Sequence, residues 1–160
     1  MHSFKGETAI GVLAALTAFA VDQVTKAIVV SNATVLNAGV SVVPGFNLTF
    51  HRNDGVTFGL LGGAPWWSLV VLAPAVCAWL AIMMLRTRNR IEAIAYGSIL
   101  GGALGNVLDR VRFRAVTDFL DFYVGSAHWP AFNMADIFVV GGVGLLLIPT
   151  KFQNRSRTDP

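Results

Sequence analysis

Residues 66–85 read WWSLVVLAPAVCAWLAIMML, twenty positions without a single charge. An α-helix needs roughly 20 predominantly apolar residues to cross the hydrocarbon core of a bilayer. The stretch therefore predicts a spanning helix, and it sets the frame for the rest of the chain. Three further runs have the same character, at about 9–30, about 91–108 and, shorter, about 133–149. The last requires little tilt or a locally thinned bilayer. Composition agrees. Hydrophobic residues make up 54% of the 160, charged residues only 13%, and the mean hydropathy is +0.61. These values belong to the membrane class, and at this length a single membrane domain, 1–160, is expected.

Charge supplies an orientation. Lys5 precedes the first run, Arg86, Arg88 and Arg90 fill the link between the second and third, and Lys151, Arg155 and Arg157 follow the fourth. Four spans put these three places on one side, and the positive-inside rule makes that side cytoplasmic, with both termini. The bias is seven basic residues against five. Among the five, Arg112 and Arg114 are exceptions, and Lys26 and Arg110 belong to polar groups described below; the fifth is Arg52. Asp22, Asp54, Asp109, Asp118, Asp121 and Asp136 all fall on or near the outer side. Lys5 and Ala18-Phe19-Ala20 imitate a signal peptide, but the apolar pattern continues to Val30, so retention of the first span is expected. A net charge of +3 is weak ground for nucleic-acid binding, and none is expected. The lone cysteine, Cys77, excludes an internal disulfide and is expected to pack in the core.

Two outer segments remain, 31–65 and 111–132, with a polar tail at 151–160. In the first, Val40, Val42, Phe46, Leu48 and Phe50 recur at period two, the strand signal. Pro44-Gly45 and Asn53-Asp54-Gly55 read as turns. A small extracytoplasmic antiparallel sheet is expected there. The second segment mixes aromatics with charges and is expected to hold a short interfacial helix or a loop. The fold class is thus an all-α membrane protein, a four-helix transmembrane bundle carrying a small β-sheet.

Within this frame the polar residues converge. Asp22 and Lys26, four apart, share a helix face and can pair. Asn106 and Arg110 share another, with Asp109 beside them. Asn133 and Asp136 start the fourth span, and Asp118 lies just beyond the third. Each has an ordinary alternative. Asp22 with Lys26 suits a structural ion pair, and Asn133 with Asp136 has helix-capping spacing. Gly101, Gly102 and Gly105 suit close helix packing. Asn106 suits an interhelical hydrogen bond, Arg110, Arg112 and Arg114 suit headgroup anchors, and Phe58 and Trp66 suit interface aromatics. Delivery of all the polar groups to one level is harder to explain structurally. Two carboxylates brought together do not readily both ionise, and a pair sharing one proton can activate water.

In order along the chain, Asp22-Gln23-Val24-Thr25-Lys26, Asn53-Asp54-Gly55-Val56-Thr57-Phe58-Gly59, Gly101-Gly102-Ala103-Leu104-Gly105-Asn106 with Asp109-Arg110, Thr117-Asp118-Phe119 and Phe132-Asn133-Met134-Ala135-Asp136 resemble the five motifs of the lipoprotein signal peptidases (signal peptidase II) of bacterial inner membranes. Val56 and Thr57 stand where alanines are frequent in that family, and Thr117 where an aliphatic residue is common. The resemblance implies a hydrolase: an aspartic endopeptidase that cuts diacylglyceryl-modified prolipoproteins just before the lipidated cysteine, near the outer face of the membrane. It implies Asp118 and Asp136 as catalytic residues, with Asn53, Gly55, Asn106, Arg110 and Asn133 orienting substrate and carboxylates. Asp22 and Lys26 hold the bundle around them. Expected partners are the lipidated substrate and membrane lipids, and a monomer is expected. No cofactor or metal is expected, because His2, His51 and His128 lack ligand spacing.

Two other classes stay open on the residues alone. Intramembrane carboxylates also mark carriers, although a carrier more naturally places them at the midplane, often with repeated halves. A non-enzymatic lipid-binding or assembly subunit is the other, and it would tolerate conservative loss of either aspartate. A serine or metallo intramembrane protease is disfavoured, since no such arrangement falls on the spans.

Overall fold

The charge-free stretch is helical in the computed structural model of the chain, which describes residues 2–54 and 66–148. Gly55 and the rest of its motif through Gly59, Phe58 included, lie outside the described residues, as does the expected tail with Lys151, Arg155 and Arg157. The elements run α1 (His2–Ser31), α2 (Ala33–Leu36), β1 (Val40–Val43), β2 (Phe46–Asn53), α3 (Trp66–Arg86), α4 (Arg90–Phe113), β3 (Val116–Val124), β4 (Ala127–His128) and α5 (Met134–Leu147).

The helices turn large apolar side chains outward. Leu13, Leu16, Val71, Val140 and Leu147 are between 62% and 77% exposed. Contiguous apolar surface of this kind is costly in water and natural in lipid. Gly6–Ser31 and Arg90–Phe113 are long and apolar enough to cross a bilayer, and Val70–Arg86 and Met134–Leu147 are shorter apolar helices.

α4 is the central element, packing on α1, α3 and α5. Its buried residues are mostly small: Ala93, Ala95, Gly97, Gly101, Gly102 and Gly105. A β-carbon at Gly101 would strike the Ala15 carbonyl, and one at Gly102 would come within 2.6 Å of the Ala135 carbonyl. The glycines thus let α1 and α5 approach opposite sides of α4, as their spacing predicts. The Asn89 side chain caps the start of α4 by accepting from the Ile91 N–H, and the helix ends at Arg114, which takes the left-handed conformation at φ 58°.

Four strands form one antiparallel sheet in the order β1-β2-β3-β4. The first hairpin is the one its alternation predicts, turning at Gly45 with φ +90°, a value that glycine adopts without the steric cost of a β-carbon. The segment 111–132 departs from expectation. It supplies β3 and β4 instead of an interfacial helix or loop. Val116, Thr117, Phe119 and Tyr123 are β-formers, and β2 offers the unpaired backbone groups that this segment needs. The sheet packs on the bundle through Val29 of α1, Leu36 of α2 and Phe119 of β3, with Leu48, Phe50, Leu120 and Met134 around them.

Candidate active site

The first turn of α5 carries the densest bonding. Asn133 is its N-cap: its side-chain oxygen accepts from the Asp136 N–H at 3.2 Å, while Asp136 Oδ2 accepts from the Asn133 N–H at 3.1 Å. This reciprocal capping box satisfies two donors that every helix start leaves open. It also fixes where the Asp136 carboxylate sits. The Asn133 oxygen being occupied, its amide nitrogen faces away from the helix, where it donates to Asp118 Oδ1 at 2.6 Å.

Asp118 comes from β3. The β2–β3 ladder slips by one residue between Leu48 and His51, after which Asn53 stands opposite Val116. Asn53 is therefore a diagonal neighbour of Asp118 on the same face, and its Nδ2 donates to Asp118 Oδ2 at 3.0 Å. Each Asp118 oxygen thus accepts from an asparagine amide. The residue is only 2% exposed. Burial pushes its carboxyl above the ordinary value, the two amide bonds oppose the rise, the Asp136 charge adds to it and Lys26 opposes it.

α4 and α1 close the cluster from behind. Asn106 Nδ2 donates to Asp136 Oδ1 at 2.9 Å, and its oxygen accepts from Lys26 Nζ at 2.8 Å and from Asn133 Nδ2 at 3.2 Å. Lys26 lies 3.0 Å from Asp22 and 3.4 Å from Asp109. Asp22 accepts from the Ala135 N–H at 3.0 Å, tying α1 to α5, and Asp109 accepts from the Thr117 N–H at 2.9 Å, tying α4 to β3. Gly105 makes room for this: a β-carbon there would collide with the Asp22 carboxylate. Arg110 donates to the Asn106 carbonyl at 3.3 Å and lies within electrostatic reach of Asp118, Asp136 and Asp109.

Two apolar grooves border the cluster. One, of about 640 Å³, is lined by Asp136 itself together with Trp129, Pro130, Phe132, Ile137 and Val140. The other, of about 310 Å³, runs between α3 and α4 past Asn106, Arg110, Leu72, Val76 and Val107. Cys77, expected in the core, is half-buried and lines this second groove, because α3 touches the bundle mainly through α4 and leaves a gap along that seam.

The structure brings Asp118, Asp136, Asn53, Asn106, Asn133, Asp22 and Lys26 into one hydrogen-bonded net, with Arg110 at its edge; Gly55 lies outside the described residues. Two contributions were not singled out from sequence, and a third, Asp109, was noted there only for its place beside Asn106 and Arg110. Asp109 fixes the start of β3. Arg52 donates to the Thr117 hydroxyl at 2.8 Å and stacks 4.0 Å over Phe113. His128 Nδ1 lies 2.9 Å from Asp121, whose other oxygen accepts from Asn47 at 3.1 Å. Burial raises Asp121, but the His128 and Asn47 bonds outweigh it and hold the carboxyl below its ordinary value. The sequence signal for these was the adjacency of Asp109 to Arg110 and of Arg52 to Asn53.

Comparison with known proteins bears on this geometry. Residues 14–152 match the family model described as Signal peptidase (SPase) II. The lipoprotein signal peptidase of Aeromonas hydrophila is 44% identical, covering 91% of this chain and 89% of its own. That of Oleidesulfovibrio alaskensis is 46% identical over 81% of this chain and 86% of its own. A solved bacterial membrane enzyme, determined in meso at 2.3 Å, superposes with a TM-score of 0.78 at 28% identity, over 94% of this chain and 92% of that one. A second, at 1.9 Å, gives 0.75 at 31% identity. Sequence, fold and span of the match agree, and the chain belongs to the signal peptidase II family.

Proposed function

We propose that Asp118 and Asp136 are the catalytic pair with which this peptidase works. As a member of its family the chain is a hydrolase that removes signal peptides from prolipoproteins. The reading that goes further is an endopeptidase embedded in the bacterial inner membrane, cutting diacylglyceryl-modified substrates just before the lipidated cysteine. One observation carries the catalytic pair: Asn133 joins both carboxylates, giving its amide to Asp118 and its backbone N–H to Asp136. Two acids from different elements are held by one residue, one buried and one beside an open groove.

In this reading a water lies between the carboxylates and the scissile carbonyl. The ionised member of the pair takes a proton from that water as its oxygen attacks the carbonyl carbon. The protonated member donates to the carbonyl oxygen as charge develops there. The tetrahedral intermediate collapses as the departing nitrogen takes the proton that came from the water, the intermediate's hydroxyl returns its proton to the other carboxylate, and the peptide C–N bond breaks. Neither member of the pair is assigned the proton. Asn53, Gly55, Asn106, Arg110 and Asn133 orient the substrate backbone and the acids. Asp22 and Lys26 hold the frame. The diacylglyceryl chains lie against apolar faces between helices, for which the two grooves offer room.

In this reading α1, α3, α4 and the shorter α5 span the bilayer as a monomer, both termini cytoplasmic, with the site near the periplasmic face. The test is cleavage of a diacylglyceryl-modified prolipoprotein by purified wild type, Asp118→Asn and Asp136→Asn, with an unlipidated control. Wild type cutting the lipidated form alone, and both folded variants failing, is the expected result. Near-full activity of either variant removes that aspartate from the mechanism.

A further inference from the structure

An asparagine amide presents an acceptor at one end and two donors at the other, so its neighbours decide which way it faces. For Asn133 the decision is local. The Asp136 N–H of the helix start demands the oxygen, and the amide nitrogen is left for Asp118. Asn106 has no such backbone anchor. Its nitrogen meets Asp136 at 2.9 Å, and on its other end stands Lys26 Nζ at 2.8 Å. An ammonium has three donors and no acceptor. It can meet only the oxygen of Asn106, which obliges the donors to face the carboxylate. The second bond to that oxygen, from Asn133 Nδ2, is longer at 3.2 Å and shares its nitrogen with the 2.6 Å bond to Asp118. A turned amide would set its oxygen against a carboxylate oxygen and its nitrogen against an ammonium, two mismatches at once.

We propose that Lys26 is a positioning residue for the reaction, fixing the Asn106 amide so that it donates to Asp136. The inference rests on the pair reading above and assigns Lys26 more than the support of the bundle. The side chain is placed for this by Asp22 on its own helix and Asp109 on α4, at 3.0 and 3.4 Å, and is only 4% exposed. The charged groups that face it are Asp22 from α1, Asp109 from α4 and Asp118 from β3, while Arg110 and Asp136 bond to Asn106 itself. None of these donates to the Asn106 side-chain oxygen, Arg110 reaching only the backbone carbonyl of that residue, so no other charged side chain substitutes for the ammonium there.

A double-mutant cycle on kcat tests the mechanism of action. Wild type, Lys26→Met, Asn106→Ala and the double variant are compared on a diacylglyceryl-modified prolipoprotein, with thermal unfolding in detergent recorded for each. Lys26→Met is expected to lower kcat by on the order of 10²-fold, the scale of loss when a reacting group is displaced, with KM nearly unchanged. The double variant is expected to match Asn106→Ala, since the lysine acts through that amide. Losses in kcat that multiply, or a Lys26→Met kcat equal to wild type, overturn the proposal. Should Lys26→Met fail to fold, Lys26→Arg and Lys26→Gln replace it. The arginine keeps a donor-only cation and is expected to retain most activity. The glutamine can present either end and is expected to lose it, and equal activities count against the proposal. Asp136→Asn in the same assay separates the two readings. If it stays active the catalytic pair is wrong, whereas an inactive Asp136→Asn beside a multiplicative cycle overturns the role of Lys26 alone.

Discussion

Thr117 gives its backbone N–H to Asp109 and takes the Arg52 guanidinium on its hydroxyl, and it is fully buried. An aliphatic residue at this position would keep the first bond and lose the second. Thr117→Val is therefore expected to destabilise the protein by about 1.5–3 kcal/mol, the net worth of a hydrogen bond to a charged group, read as a lower unfolding midpoint in detergent. Asp118 and Asp121, three residues apart on the same strand, are expected to act oppositely with pH. Asp118 has its folded value raised, so its contribution is fully present below the ordinary 3.8 and is lost as pH rises through the folded value. Asp121 has its folded value lowered, so its contribution is present above 3.8 and is lost as pH falls through the folded value. Stability measured against pH should thus lose part of its acid-side fall in Asp121→Asn, and part of its fall with rising pH in Asp118→Asn. Unchanged profiles in both variants would contradict these environments.

At the scale of elements, α4 depends on what it lacks. Gly105→Ala is expected to cost about 1–3 kcal/mol, the range for overpacking, because its methyl group meets the Asp22 carboxylate. Gly144→Ala, with nothing within 4 Å of its added methyl, is expected to be neutral or to gain up to about 1 kcal/mol from helix propensity. Unfolding midpoints of the two variants check the contrast. The glycine spacing and the start of α5 were legible in sequence because both are local: a periodic small face, and a capping residue three positions before an acid. The hairpin β1–β2 was legible for the same reason. β3 was not, since Thr117, Asp118 and Asp121 are polar residues buried by partners on other segments, and their polarity broke the alternation that announces a strand. Asp109 was noted among the converging residues, but its role was hidden likewise, its partner being a backbone N–H eight residues on.

For the whole molecule, the convergence of Asp22, Asn106, Asp118 and Asp136 followed from sequence once the helices were assumed to alternate in direction. The proposed orientation predicts which ends meet which compartment. In a Cys77→Ser background, a cysteine replacing Ser126, in the turn between β3 and β4, should react with an impermeant thiol reagent on intact spheroplasts. One replacing Arg88, between α3 and α4, should react only after permeabilisation. The reverse pattern would invert the protein in the membrane.

The capping box at the head of α5 has a consequence in time. Asn133 and Asp136 follow every other described member of the polar net along the chain. A nascent chain that has emerged as far as residue 132 holds Asp118 without the Asn133 amide and without Asp136. On the proposed pair, hydrolytic competence waits for the first turn of the last helix, and a peptidase that shares its membrane with unprocessed substrates is inert until that turn has formed.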